Sequence, residues 1–196
     1  MIPVIPLSQY PNLPTGCEST AAAMLLNFYK YSITPEEFAE TVLIKRDFYY
    51  ESGNLCASHP NEAFLGDPFS EDGYGCYAGA IVSSINQNIS EITAVSISGK
   101  SLNEIVSNYI DCGIPVMLWA TMGMKESKEG TTWYLENGET FTWISGEHCL
   151  VLIGYNDKFY FLNDPQLGST VAYEKELVEK RFEALKRQAV YIYKNE

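Results

Sequence analysis

Residues 9–20 read QYPNLPTGCEST, and a run of apolar side chains follows them. Thr15 and Glu18 have the spacing of a capping box, in which both side chains bond free backbone N–H groups at the start of a helix. The apolar residues that then recur at helical spacing are Ala21, Met24, Leu25 and Phe28. A helix with one buried face is therefore predicted to begin here, with Cys17 in its first turn.

Cys17 is a candidate nucleophile because of this position. A thiol reacts as the thiolate, and a helix N-terminus stabilises a thiolate through unpaired N–H groups and the positive end of the helix dipole. Gly16 would let the backbone of a substrate approach closely. Glu18 acts in the opposite sense, since a nearby carboxylate raises the pKa of the thiol unless the capping box turns it aside. A structural cysteine buried in an apolar helix is the alternative interpretation.

The hydrophobic pattern divides the chain into a helical half, residues 15–113, and a sheet half, residues 114–196. Helices are predicted from Thr15, from Thr34 to about Leu43, over residues 77–89, and from Ser101 to Gly113. Residues 46–76 are rich in turn-forming and aromatic residues without periodicity, which is typical of a long ordered loop.

The second half has the short apolar runs of strands. The predicted strands are residues 114–121, 149–154, 158–162, 169–173 and 188–193, and a charged amphipathic helix is predicted over residues 174–187. Residues 122–146 are interpreted as a polar loop or a hairpin. No repeat or linker divides the chain. We therefore expect an α+β fold in a single domain, residues 1–196, whose helical half packs on an antiparallel sheet.

The composition is that of a globular protein, with 46% hydrophobic and 13% aromatic residues. The formal net charge of -12 makes nucleic acids and anionic membrane surfaces unfavourable partners, because like charges repel. The first residues lack the basic and apolar segments of a signal peptide, and no run of apolar residues is long enough to span a membrane. The protein is expected outside the cytoplasm if a leader has been removed, and in the cytoplasm otherwise.

The chain has five cysteines and two histidines, so Cys/His chemistry can be assembled in few ways. The cysteines fit no zinc module, and neither a metal site nor a cofactor is predicted. An odd number of cysteines leaves at least one thiol unpaired. Cys56 and Cys76 flank the long loop and are equally consistent with a disulfide in an exported protein and with two buried thiols. His59, which precedes Pro60, is interpreted as a loop residue that makes hydrogen bonds.

His148 is the better candidate base for Cys17 because it stands at the entrance of a predicted strand. The next strand ends at Asp164, and the turn between them is centred on Asn156. Residues equally distant from a turn face each other across a hairpin, so His148 and Asp164 are predicted to be cross-strand neighbours. The carboxylate would then orient the imidazole and support its protonated form, as in a catalytic triad. A turn displaced by one residue would bring Asn163 there instead.

Three blocks of the sequence carry a family resemblance. They are QYPNLPTGCEST over residues 9–20, HPNEAFLGDP over residues 59–68, and GEHCLVLIGY over residues 146–155 with NDP at residues 163–165. Together, and in this order, they resemble the bacteriocin-processing peptidase-like family of the papain-like cysteine peptidases. The likeness runs from Gln9 to Pro165 and implies a papain-like fold.

The resemblance also implies roles for individual residues. Cys17 would be the nucleophile, His148 the general base and Asp164 the residue that orients His148. Gln9 matches the glutamine of the family's oxyanion hole, where its amide and the Cys17 N–H would stabilise the tetrahedral intermediate. We expect a thiol hydrolase that cleaves a peptide or amide bond in a peptide or protein substrate through an acyl-enzyme.

Two other functions stay open on the same fold. The triad could transfer the acyl group to an amine, as in transglutaminases, instead of to water. Alternatively, the fold could serve as a non-catalytic module that binds a peptide or a cell-wall polymer in its cleft. The aromatic richness of the chain favours the binding module, whereas the complete apparent triad favours catalysis, because a pure binder has no need of these residues.

Overall fold

A computed structural model describes residues 1–195, and its mixture of helices and strands confirms the predicted α+β class. The helices are α1 (Cys17–Phe28), α2 (Pro35–Glu37), α3 (Ala78–Asn88), α4 (Leu102–Ile105) and α5 (Lys175–Ala184). Two π-helical turns, Phe38–Val42 and Val106–Ile110, continue α2 and α4. Within residues 1–195, no helix has the length and apolar character needed to cross a membrane. Glu196, the last residue of the predicted sheet half, lies outside the described residues.

The strands form a large antiparallel sheet and two smaller ones. They are β1 (Lys45–Arg46), β2 (Tyr49–Glu51), β3 (Asn54–Cys56), β4 (Phe64–Leu65), β5 (Ile92–Ser96), β6 (Val116–Thr121), β7 (Lys128–Tyr134), β8 (Thr140–Ser145), β9 (Glu147–Tyr155), β10 (Phe159–Asp164), β11 (Ser169–Glu174) and β12 (Ala189–Lys194). The large sheet has the order β11-β10-β9-β6-β12-β5, and each neighbouring pair is antiparallel. This confirms the antiparallel sheet expected of the second half.

The first half differs from the expectation because it contains strands. β5 joins the edge of the large sheet beside β12. The predicted loop over residues 46–76 contains β2, β3 and β4, and β4 pairs with β1 at the start of the loop. These strands are two to five residues long, which is too short for a periodic pattern to develop. The hairpin interpretation of residues 122–146 is confirmed by the antiparallel pairing of β7 with β8.

Helix α1 begins at Cys17, but the predicted capping box is wrong. The cap position is Gly16, and it makes no side-chain capping bond. The Thr15 hydroxyl donates instead to the carbonyl of Ser70, and the Glu18 carboxylate accepts from the backbone N–H of Cys76. Both side chains therefore bond residues distant in the sequence, and neither is free to cap the helix. The capping boxes of α2 and α4 do form, since their residues face solvent and meet no competing partner.

Helix α1 is the centre of the hydrophobic core. All residues from Cys17 to Leu26 are buried, so the helix is enclosed on every side instead of presenting a single apolar stripe. It packs against β9, and the N–H of Cys149 on that strand points at Cys17 Sγ, 3.4 Å away. The start of α1 is thereby fixed beside the first residues of β9, where His148 lies.

Candidate active site

A pocket of about 420 Å³ opens to solvent where the start of α1 meets the start of β9. Its walls include Gln9, Cys17, Tyr74, Trp143, Glu147 and His148. Two of these are aromatic and two are acidic or basic, which is the mixture expected of a site that holds and orients a small segment of substrate. The structure therefore brings Cys17, His148 and Gln9 to one pocket.

The Cys17 thiol faces the acidic side of this pocket. It donates a hydrogen bond to Glu18 Oε2 at 3.2 Å, and no hydrogen bond joins it to the His148 ring within the described residues. Burial raises the pKa of Cys17 well above its ordinary value, and the nearby carboxylates of Glu18 and Glu147 raise it further. The hydrogen bond from Cys149 N–H opposes these effects but is weaker. The resting thiol is therefore protonated, as the position of Glu18 in the sequence had indicated.

His148 and Asp164 form a buried pair behind the pocket wall. His148 Nε2 lies 2.7 Å from Asp164 Oδ1, and the two residues are 2% and 1% exposed. Asp164 also accepts hydrogen bonds from the Tyr173 hydroxyl at 2.8 Å and from the Gln166 N–H at 2.9 Å. An ionised carboxylate can only accept, so its partner Nε2 carries the proton and Nδ1 of the neutral imidazole is left as an acceptor.

The hydrogen bonds to Asp164 decide its ionisation. Burial on its own would raise the pKa of this carboxyl, but the bonds from His148, Tyr173 and Gln166 favour the charged form. Their combined effect lowers the pKa below its ordinary value. Asp164 is thus ionised at neutral pH and holds the imidazole in a fixed orientation.

The strand register that brings these two residues together differs from the prediction. Leu162 of β10 pairs with Leu152 of β9, after an irregularity in the ladder at Phe161. Continuing this register places Asp164 level with Leu150, two residues along β9 from His148. A shift by two residues keeps both side chains on the same face of the sheet, so they still meet.

Asn163 is directed elsewhere. As the residue before Asp164 on β10, it points to the opposite face of the sheet. Its amide nitrogen donates to the carbonyl of Val4, and its oxygen accepts from the Thr170 hydroxyl. Of the two candidates left by the sequence, the residue in contact with His148 is Asp164.

Gln9 lies in the pocket, but its amide nitrogen is occupied. Nε2 donates to the carbonyls of Leu13 at 3.1 Å and Pro14 at 2.9 Å, which accounts for both of its hydrogens. Oε1 is buried and has no hydrogen-bond partner within the described residues. To donate to an oxyanion, the Gln9 amide would have to release one of these carbonyls. The N–H of Cys17 donates to no protein group in residues 1–195 and needs no such change.

Comparison with known proteins places the chain in a family. The model of the Peptidase_C39 like family matches residues 1–190. The chain belongs to this family. It is 31% identical over 188 residues to the uncharacterized protein YvpB of Bacillus subtilis strain 168, a match that covers 94% of this chain and 71% of that protein.

A solved structure agrees with this C39-like assignment. A candidate C39-like peptidase from Bacillus anthracis superposes with a TM-score of 0.86 at 29% identity, over 100% of this chain and 96% of the other. The family resemblance read from the sequence is thus confirmed, together with the papain-like fold that it implied.

Two acidic residues of this C39-like chain are functional candidates that sequence reasoning missed. Glu147 occupies the first position of β9, where the strand is otherwise mostly apolar and buried, a placement that could have drawn attention to it. Burial raises the pKa of Glu18 to about 7, although hydrogen bonds from Cys76 and Cys17 work against this. Burial also raises the pKa of Glu147 well above its ordinary value, and repulsion from Glu18 adds to the effect.

The sequence predicts roles outside the triad for the other histidine and for two of the other cysteines. His59 Nδ1 accepts from the Asn61 N–H, and its ring packs edge-on against Phe141, in keeping with the loop role expected for it. Cys56 and Cys76 are separate free thiols, and no disulfide joins any of the cysteines, all of which lie in residues 1–195.

Proposed function

We propose that this C39-like protein is a thiol peptidase in which Cys17 is the nucleophile, His148 the general base and Asp164 the orienting residue. The observation that carries the proposal is the buried bond of 2.7 Å between His148 and Asp164, next to the pocket that Cys17 also lines. A histidine fixed in this way by a carboxylate is the arrangement by which cysteine and serine hydrolases activate a nucleophile.

Proton transfer would begin the reaction. Because the resting thiol is protonated and donates to Glu18, its side chain has to turn from Glu18 toward the imidazole before it can react. Nδ1 of His148 then accepts the proton, since Nε2 is committed to Asp164. The ionised Asp164 stabilises the imidazolium that results. Activation therefore requires a movement of the thiol, in contrast to an enzyme that holds a thiolate–imidazolium pair at rest.

The thiolate would next attack the carbonyl carbon of a peptide bond. Negative charge develops on the carbonyl oxygen, and the free N–H of Cys17 at the start of α1 is available to stabilise it. The Gln9 amide would be the second donor once it leaves the Leu13 or Pro14 carbonyl. His148 returns the proton to the departing amine, and water then attacks the acyl-enzyme with His148 again acting as base.

A defined mixture of tetradecapeptides, read by mass spectrometry for new termini, tests this proposal. Wild type should cleave one or more peptides, and Cys17→Ala should cleave none. Cys112→Ala is the matched control, because Cys112 is an exposed thiol outside the pocket and its loss should leave cleavage unchanged. Cleavage that survives in Cys17→Ala would overturn the proposal. A primary amine added to the same reaction would appear in the products if acyl transfer were the activity instead.

A peptide-binding module without catalysis is the second candidate. It is favoured by two observations, the hydrogen bond that holds the thiol on Glu18 and the occupied amide of Gln9. In that case, peptides from the mixture would be retained by the protein and recovered intact after long incubation. No covalent acyl-enzyme would be seen in the intact mass of the protein.

A further inference from the structure

A cluster of three potential metal ligands lies on the inner wall of the pocket. It consists of Cys17 Sγ and one carboxylate oxygen each from Glu18 and Glu147, and these atoms lie within 4.8 Å of one another. Cys17 and Glu147 line the pocket, so a small ion can reach the cluster from solvent. The sequence predicted no metal site because these residues have no regular spacing and converge only in the folded chain.

The carboxyl group of Glu147 has no partner, although the residue is only 7% exposed. Its Oε1 is buried without a hydrogen bond, and no salt bridge within residues 1–195 reaches the side chain. A buried carboxylate in this state is costly, since it has lost water and gained nothing in return. One oxygen of the same carboxyl group lies within 4.8 Å of both Cys17 Sγ and a Glu18 carboxylate oxygen.

The surroundings hold both carboxylates close together. Glu18 Oε1 accepts from the Cys76 N–H at 2.6 Å, which leaves Oε2 directed at the Cys17 thiol. A Cβ atom at Gly75 would lie 2.6 Å from Glu18 Oε1 and 2.9 Å from Glu147 Oε2. The absence of a side chain at Gly75 therefore makes room for the two carboxyl groups.

The neighbouring basic side chain is committed elsewhere. His148 follows Glu147 in the sequence, but its Nε2 is paired with Asp164. Ionisation of the thiol and of both carboxyl groups would thus place three negative charges in the cluster without a counter-ion from the protein. A divalent cation neutralises most of this charge and supplies the partner that the Glu147 carboxyl lacks.

The donor set and its dimensions fit zinc. A thiolate with two carboxylates suits this borderline-soft ion, whereas calcium and magnesium take oxygen ligands. A tetrahedral zinc with ordinary bond lengths separates sulfur from oxygen by about 3.6 Å. The observed distance from Cys17 Sγ to Glu18 Oε2 is 3.2 Å, so the ligands are close to the required spacing.

We propose that Cys17, Glu18 and Glu147 form a zinc-binding site whose fourth position opens to the pocket. Protons from the thiol and from any protonated carboxyl group are released to solvent when the metal binds. This inference goes beyond the proposed peptidase function and does not depend on it. For a peptidase, the consequence would be reversible inhibition, because zinc would hold the Cys17 thiolate away from His148.

Cobalt(II) titration of the metal-free protein is the direct test, since a thiolate bound to cobalt gives a charge-transfer absorption band. We expect one such site per chain, displaced by zinc chloride. Glu147→Gln should weaken zinc affinity, measured by calorimetry, by at least about tenfold. Loss of a residue that only supports a metal ligand already costs that much, and Glu147 would be a ligand itself. Cys17→Ser should abolish the band. The matched controls are Glu129→Gln, an exposed acid, and Cys112→Ser, an exposed thiol, and both should bind as wild type does.

Alkylation of the wild-type chain provides a second measurement that needs no variant. Saturating zinc should slow the reaction of Cys17 with iodoacetamide at least about tenfold, because a thiolate bound to zinc is not free to attack the reagent. Cys112 in the same molecule is exposed and serves as the reference. The proposal is overturned if zinc leaves the ratio of labelling at the two thiols unchanged, or if binding is lost in Cys112→Ser or His59→Ala instead of Glu147→Gln. Neither readout requires peptide cleavage, so a failure of the peptidase proposal would leave this result unaffected.

Discussion

Two neighbouring residues of β9 divide the pocket into two regions with opposite properties. The histidine side consists of His148, Asp164 and Tyr173, which are joined by hydrogen bonds from His148 Nε2 and from the Tyr173 hydroxyl to the Asp164 carboxylate. The acidic side consists of Cys17, Glu18 and Glu147, where Glu147 has no hydrogen bond and no protein cation is available. Strand alternation sends adjacent residues to different sides, which lets one strand supply both regions.

The difference teaches that hydrogen bonds stabilise one side of the pocket, whereas the other side holds acidic groups that are unfavourably placed. The histidine side is rigid because each bond supports the next one, so removal of any member should lower stability or activity. The acidic side is electrostatically unfavourable as it stands, so neutralising a member should stabilise the fold. The following predictions test this contrast, from the largest effect to the smallest.

His148→Ala should have the largest effect. Without a base to accept the thiol proton, cleavage of the best library peptide should fall by about 10²- to 10⁴-fold in kcat/KM. His59→Ala is the matched control, because His59 lies outside the pocket, and its activity should equal that of wild type. Equal losses in the two variants would mean that His148 has no special role.

Asp164→Asn should lower the free energy of unfolding by about 2 to 3 kcal/mol at neutral pH, since a buried charge-assisted hydrogen bond is lost. Because folding lowers the pKa of Asp164, its stabilising contribution is present above the unfolded value, near 3.9. The contribution is lost as the pH falls through the lower folded pKa. Urea unfolding should therefore show a difference from wild type that shrinks below about pH 4.

The control for this comparison is Asp157→Asn, which changes an exposed aspartate at the turn of the same hairpin. We expect its stability to stay within about 0.5 kcal/mol of wild type. A difference between Asp164→Asn and wild type that stays constant into strong acid would contradict the pairing of the carboxylate with His148.

Tyr173→Phe should cost about 1.5 kcal/mol of unfolding free energy, because it removes one hydrogen bond to an ionised carboxylate. The Asp164 carboxylate would keep its bonds to His148 and Gln166, so the effect should be smaller than that of Asp164→Asn. Tyr193→Phe removes a hydroxyl from an exposed tyrosine and is the reference. Equal stabilities of the two tyrosine variants would show that the Tyr173 hydroxyl does not support Asp164.

Glu147→Gln should have the opposite sign and the smallest magnitude. In the presence of a chelator, it should raise the free energy of unfolding by about 1 kcal/mol at neutral pH, because an amide costs less to bury than an unpaired carboxyl. Thermal unfolding of Glu147→Gln would measure the change, with Glu129→Gln, which alters an exposed acid, as the control. A loss of stability would mean that the Glu147 carboxyl has a favourable partner and that the acidic side is not strained.

The sequence was sufficient for the parts of the site that depend on local pattern. The start of α1 at Cys17 follows from the apolar run after it, and the meeting of His148 with Asp164 follows from hairpin alternation. The register was wrong by two residues because the hairpin turns beyond Asn156, so that Tyr160 pairs with Tyr155, and the irregularity after Phe161 then moves each later pairing by one residue. A displacement by two residues leaves Asp164 on the same face of the sheet as His148, so the contact is preserved. A displacement by one residue would have placed Asn163 on that face instead.

The acidic side could not be predicted for a different reason. Glu18 had been assigned to a capping box, but a backbone N–H from Cys76, far along the chain, takes its carboxylate. Glu147 is adjacent to His148 in the sequence and meets Glu18 only after α1 packs on β9. Contacts between residues so distant in the chain leave no periodic signal in any one segment.

The enclosure of α1 in the core has a consequence for how the protein opens. Local fluctuations release elements with few buried contacts, whereas an element buried on all sides is released only when the whole molecule unfolds. Since the residues from Cys17 to Leu26 are all buried, the amide hydrogens within α1 should exchange with solvent only through global unfolding. The same helix carries Cys17 at the end that borders the pocket. Cys17 is therefore attached to the slowest-exchanging segment of the chain, and its position in the pocket should persist until the fold itself is lost.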